Sequence, residues 1–368
     1  MTEKMTYAGV GVDYEAMDPF KRLAQRAGRE TAKNIFRLGF SEVEMSRGES
    51  AYLMDAGDQY VAHVEEGLGT KNLVADAMYR LTGNSYYDRI AQCTVAMIVN
   101  DMITLGALPL SVAMHLAVGV SSWFSDEKRC GHLIDGWKKA CELARCAWGG
   151  GETPTLKGIV HPDAVVLSGS AVGVVKPKNR LVNAANIRNG DAIVIIGSSG
   201  IHANGLTLAR EIAEKLPDGY LTKLSDGRMY GEALLDPTMI YVGLVEDCFN
   251  GGIDIHYAVN ITGHGWRKLM RATQLFAYVV DDIPVPHPVF SFIQEYGPVD
   301  DQEAYANLNM GAGFALYVGE SHVEKVLALA HLLGMFALRA GTIEPSKVKK
   351  VVIRPLGLEY LGRTLGVR

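Results

Sequence analysis

At 368 residues the chain is long enough for about two domains, and 48% hydrophobic against 21% charged content excludes a globally disordered protein. A net charge of −5 without a long basic run argues against a nucleic-acid binder. The five cysteines form no C-x-x-C pair and read as reduced thiols of a cytoplasmic protein, while no apolar signal core opens the chain and no segment reaches the length of a membrane span.

Residues 1–17, with Tyr7-Ala-Gly-Val-Gly-Val-Asp-Tyr14 inside them, are glycine-rich and irregular, and read either as an arm over a bound nucleotide or as an untidy terminus. A helix is expected over residues 19–36, with Asp18 as N-cap and Pro19 in the first turn. Residues 50–54 and 59–64 read as a hairpin. The second strand ends in Glu65 and Glu66, then Gly67-x-Gly69-Thr70-Lys71, and a helical pattern follows at once. Glycines let backbone N–H groups approach a phosphate, and a helix start with a Lys favours the anion. The two acids beside it could hold Mg²⁺. The spacing is not that of a Walker A loop, and a plain hairpin or helix cap is the competing reading.

A long helix is expected over residues 86–105, with Asn100 and Asp101 inside an apolar run. Buried polar groups need partners, so this pair marks either a site or an interface network. A strand follows at 110–118 and a helix at 126–147. Trp148-Gly-Gly-Gly151-Glu152-Thr153 reads as a second glycine turn, offering a carboxylate to metal or phosphate, or as a plain turn. Residues 165–175 form a buried strand.

A polar segment, 176–189, separates two units: 1–175 and 176–354, with 355–368 as an appended tail. The second unit opens with a strand at 192–196, the turn Gly197-Ser198-Ser199-Gly200-Ile-His202-Ala-Asn204-Gly205, and a helix at 206–216. Repeating strand, glycine turn and helix suggests another phosphate or ribose cradle, with His202 and Asn204 as hydrogen-bonding groups. Asp236 and Pro237 read as the start of a helix. Asn260-Ile-Thr262-Gly263-His264 is a third polar turn, followed by a short helix with Arg267, Lys268 and Arg271. Strands are expected at 276–280, 315–318 and 336–343, and helices at 287–296 and 323–333. Alternating strands and helices in both halves give an α/β or α+β protein.

These turns together resemble the aminoimidazole ribonucleotide synthetase (phosphoribosylformylglycinamidine cyclo-ligase) family. The matching segments run in family order: Gly11-Val-Asp13, Gly67-x-Gly-Thr-Lys71, Val95-Ala-Met-x-Val-Asn-Asp101, Gly106-Ala-x-Pro-Leu110, Gly150-Gly-Glu-Thr153, Gly197-Ser-Ser-Gly-x-His-x-Asn-Gly205, Pro237-Thr-x-Ile-Tyr241, Ile261-Thr-Gly263 and Asn309-x-Gly-x-Gly313. The resemblance implies an N-terminal mixed sheet of four strands that pairs with a second copy into a dimeric barrel. It also implies ATP in clefts built from both chains and a C-terminal α/β substrate domain. The implied reaction cyclises formylglycinamidine ribonucleotide at the expense of ATP, with Mg²⁺ and a lysine positioning the phosphoryl group.

Carried onto this sequence, the resemblance makes Lys71, Asp101, His202 and His264 catalytic. Gly67, Gly69, Thr70, Lys71, Asn100, Gly151, Glu152 and Thr153 bind ATP. Ser198, Ser199, Gly200, His202, Asn204, Asn260, Thr262 and Gly263 bind substrate, and Glu66, Asp101 and Glu152 hold the metal. The sequence also departs from the family. Positions where the family has Asp carry Glu66, Cys93, Met114 and Val166, and its His before Ile-Thr-Gly is Asn260, with His264 four residues on. Those losses leave open a diverged ATP-using relative, or a nucleotide-binding dimer without turnover.

Overall fold

The computed structural model describes residues 5–6, 8–12 and 14–365; Tyr7 and Asp13 of the expected arm fall outside them. Helix α1 spans Tyr14–Thr31. It starts four residues before the expected cap and runs through Pro19, whose missing N–H falls in the second turn and removes a single bond. Asp18 accepts from Lys21 Nζ at 3.2 Å instead of capping.

The first unit is built on a sheet of six strands, two more than the resemblance implied. They are β1 (Ser41–Glu42), β2 (Tyr52–Asp55), β3 (Tyr60–Gly67), β4 (Leu108–Val118), β5 (Ala147–Glu152) and β6 (Val165–Val175), ordered β1-β2-β3-β6-β4-β5. Pairing is antiparallel except between β4 and β5. Residues 149–152, expected as a turn, are therefore edge strand. A Cβ on Gly151 would stand 2.0 Å from the Met114 carbonyl oxygen, so glycine is what allows β5 to lie this close to β4.

Alternation along β6 sends Val165, Leu167, Ala171 and Val175 inward. There they meet α2 (Lys71–Thr82), α3 (Tyr87–Ile103) and α4 (Glu127–Leu143). Helix α3 is apolar almost all round and is buried over most of its length. The opposite face of the sheet has no covering layer among the described residues, and it leaves Leu110, Val166 and Val172 about half exposed.

The second unit has seven strands: β7 (Ala192–Gly197), β8 (Ile255–Asn260), β9 (Phe276–Val280), β10 (Ala312–Val318), β11 (Ala337–Pro345), β12 (Lys350–Ile353) and β13 (Leu358–Leu361). Their order is β13-β12-β9-β11-β7-β10-β8, with only β9 and β12 parallel. The segment expected as a tail thus carries β13, which pairs with β12. Strand β8 was not foreseen. Around the sheet lie α5 (Leu206–Lys215), α6 (Tyr230–Leu234), α7 (Val242–Asn250), α8 (Pro288–Tyr296), α9 (Asp301–Asn307) and α10 (Val323–Leu332). The helix expected from Asp236 starts only at Val242, and residues 236–241 are irregular. No helix among the described residues is long and apolar enough to cross a membrane.

Candidate active site

The glycine turns at 67–71 and 197–205 meet. Strand β3 delivers Gly67 to the seam between the units, and α2 starts there. Thr70 Oγ1 lies 3.5 Å from Thr207 Oγ1 at the start of α5. Lys71 is fully buried, and its Nζ donates to the carbonyl oxygens of His202 and Asp236, each at 2.7 Å. Two carbonyl dipoles offset the desolvation of the ammonium. The expected phosphate ligand is thus a pin between the two units, and it does not point into open space.

Helix α3 supplies the next fasteners. Gln92 Nε2 donates to the Thr238 carbonyl at 2.9 Å, and Cys93 Sγ accepts from Thr238 N–H at 3.2 Å. Two turns on, Asn100 donates to the Met239 carbonyl at 2.8 Å and accepts from Tyr241 N–H at 3.0 Å. This explains why residues 236–241 need no helix: side chains of α3 satisfy their backbone groups. Asn100, expected on ATP, has both ends of its amide occupied here. Cys93, in a family Asp position, is a buried fastener.

The turn after β7 is equally self-bonded. Ser198 Oγ donates to Asn309 Oδ1 at 3.0 Å, and Asn309 Nδ2 donates to the Gly200 carbonyl at 2.9 Å. Ser199 Oγ donates to the Pro237 carbonyl at 2.5 Å. His202 Nε2 accepts from Ser199 N–H at 3.2 Å, which marks the ring as neutral. Burial, then the Lys71 and His287 charges, push its pKa down to about 3. Asn204 differs: its Nδ2 is buried without a partner among the described residues, a donor waiting for an acceptor.

Beside these turns lies a cluster of charges. Alternation places Glu66 on the inward face of β3 with Ala62 and Val64. Asp101 Oδ1 accepts from Asn260 Nδ2 at 2.7 Å, across the seam. Lys268, buried, donates to Thr262 Oγ1. Burial, reinforced by the Asp101 charge, raises the Glu66 carboxyl, and burial lowers the Lys268 amine against the pull of Asp101 and Glu66. Gly263 and His264 form the turn. His264 is buried at φ 74°, and burial with the Lys268 and Arg267 charges pushes its pKa down to about 3. His264 is thus brought inward, as a neutral ring. Lys268 escaped the sequence reading because it sits among charged neighbours. The signal available was its apolar bracket of Trp266, Leu269 and Met270, all fully buried.

Glu152, Thr153 and Gly151 do not join this cluster. Gly67 faces Ser168, which faces His115, which faces Glu152. Three strand spacings put Glu152 about 14 Å from Gly67 within one chain. Among the described residues Glu152 Oε1 accepts only the neighbouring Thr153 N–H, at 3.2 Å. The expected metal set of Glu66, Asp101 and Glu152 is therefore not assembled in one chain, and no group of three or more His, Cys, Asp or Glu among the described residues is placed to hold a metal. Met114 lies in the core and Val166 on the open face, so neither family acid position supplies a replacement.

Two mixed sheets whose glycine turns meet at one seam define a class. Residues 48–175 match the AIR synthase related protein N-terminal domain, and residues 188–354 match its C-terminal domain. The chain belongs to the AIR synthase family. It is 32% identical over 348 residues to the phosphoribosylformylglycinamidine cyclo-ligase of Methanothermobacter thermautotrophicus, covering 92% of this chain and 96% of that one. The fold is shared with a chain of the HypE–HypF complex, at TM-score 0.59 and 19% identity over 85% of this chain and 92% of that one. AaThiL complexed with AMPPCP and TMP has the same fold, at TM-score 0.57 and 14% identity over 83% and 87% of the two chains.

Proposed function

We propose that the protein closes the imidazole ring of aminoimidazole ribonucleotide from formylglycinamidine ribonucleotide, using ATP, in purine synthesis in the cytoplasm. The observation that carries this reading is the identity to a cyclo-ligase across both domains at once. The formyl oxygen attacks the γ-phosphorus and ADP leaves. The amidine nitrogen attacks the activated carbon, phosphate departs with the former formyl oxygen, and a proton is lost from nitrogen. The chain's part is positioning. Lys71 fixes the two walls of the seam, Asn204 offers its unpartnered amide, and Lys268 with Arg271 gives one wall positive charge. AMPPCP in a ThiL of the same fold supports a nucleotide in this cleft. Among the described residues one chain builds no metal cage, so Mg²⁺ would arrive on the ATP phosphates.

The open face of the first sheet, with Leu110, Val166 and Val172, fits a second copy of the chain, which also has Glu152 on the outermost strand to contribute. A homodimer has twice the chain mass of 39.9 kDa in light scattering, and Val172→Asp halves it. To test the reaction, purified protein is given ATP, Mg²⁺ and the amidine ribonucleotide. Equal amounts of ADP and aminoimidazole ribonucleotide are expected; no ADP and no binding of either substrate overturns the proposal.

The acids replaced at Cys93, Met114 and Val166 favour a second reading, a diverged relative acting on another amide or acyl group, or a dimer that binds ATP without turnover. ADP release with another substrate selects the former. Calorimetric ATP binding without ADP release selects the latter.

A further inference from the structure

A cavity of about 740 Å³, lined by none of the seam residues assigned above, lies between α1, the chain before β2, and the second unit at Asn183 and Gln274. That size is typical of small-molecule pockets. Arg22, Arg26 and Arg29 line it from one face of α1, joined by Arg47 from the opposite wall. Their spacing of four and three residues sets the α1 arginines on one stripe. The other stripe of α1 carries Met17, Phe20 and Leu23, which are 46%, 75% and 61% exposed. A surface helix ordinarily turns its apolar stripe to the body and its charges to water. On α1 both stripes are exposed: the arginines stand at the open mouth of the cavity, and the apolar stripe has no cover among the described residues.

The charges in the cavity are unevenly matched. Arg47 is forked onto Glu42, and Arg29 stands 3.8 Å from Glu44. Glu49 accepts from Tyr257 and lies 3.3 Å from Arg271. Arg26 has no carboxylate within ion-pair distance among the described residues. On the far wall the Gln274 Oε1 is buried and lacks a donor. The lining therefore asks for an anion at one end and a hydrogen-bond donor at the other.

We propose that this cavity binds a phosphorylated small molecule of nucleotide size, its phosphate gripped by the α1 arginines and a hydroxyl or amino group given to Gln274. Guanidinium forks match phosphate oxygens two at a time. The cavity adjoins the seam wall through Glu49 and Arg271, but the arginines of α1 belong to no seam assignment, and the proposal does not depend on the ring-closure reading.

The test is calorimetry on the full chain with inorganic pyrophosphate as probe, while AMPPCP saturates the seam. One pyrophosphate per chain is expected. Arg26→Ala, at an exposed helix position where Ala favours the fold, should weaken it about tenfold or more. Arg26→Lys keeps the charge without the fork and should fall between the two. No pyrophosphate bound, or an affinity unchanged by both Arg26→Ala and the double change Arg22→Ala with Arg29→Ala, overturns the proposal. Because AMPPCP binding is read in the same cell, failure of the seam and failure of this site give different results.

Discussion

The turns at residues 67–71 and 149–153 share an alphabet of glycines, a threonine and a charged side chain, yet the fold treats them oppositely. The first lies at the seam, with Lys71 buried and bonded to two carbonyls of the other unit. The second is the outermost strand of its sheet, with Glu152 exposed and, among the described residues, bonded only to its neighbour's N–H. A charge at the seam is already committed to holding the units in register. A charge on the edge has no task within the chain, so whatever it does needs a ligand or a second copy. Similar letters therefore mark structure in one place and availability in the other.

The comparison is broken most forcefully at Lys71. Lys71→Met leaves two buried carbonyls without a donor and should cost about 3 kcal/mol or more in urea unfolding. A loss under about 1 kcal/mol would mean that the seam is not pinned there. Next comes acid. His202 and His264 have folded pKa values near 3, below the ordinary 6.5, so the unfolded chain takes up protons first as pH falls. The stability they contribute is complete above pH 6.5 and declines toward pH 3, at about 1.4 kcal/mol per pH unit for each ring. Unfolding midpoints of wild type and His202→Gln should diverge in slope through this window, the variant being the flatter.

Gly265→Ala tests the third turn. Glycine is held at φ 48°, and an added Cβ would meet the Tyr305 carbonyl oxygen at 2.4 Å. A loss of about 2 kcal/mol is expected, read from the thermal midpoint. The smallest effect belongs to the edge. Glu152→Gln should change stability by less than about 0.5 kcal/mol. If it nevertheless lowers ATP turnover, the edge carboxylate acts across the proposed dimer interface; unchanged turnover would leave it without a role.

Much of this fold is written locally. Strands β6, β7 and β9 announce themselves by alternation or by unbroken apolar runs, and α2, α3 and α5 by their periodicity. What escaped depended on partners distant in sequence. Asp236-Pro237 has the letters of a helix start, but α3 satisfies the following backbone groups from the other unit. Residues 149–152 look like a turn because nothing local reveals that β4 lies alongside. The bond from Lys71 to the His202 carbonyl was not foreseen, since its partner lies 131 residues away, and the separation of Glu152 from Glu66 is a matter of strand register, which no local pattern encodes. Lys268 was hidden by its charged neighbours.

Residues 236–241 keep their shape only because Gln92, Cys93 and Asn100 reach across to hold them. Swapping one half of this chain for that of a relative would separate a lock from its key. A working chimera must carry α3 and these six residues from the same parent, wherever else its crossover points fall.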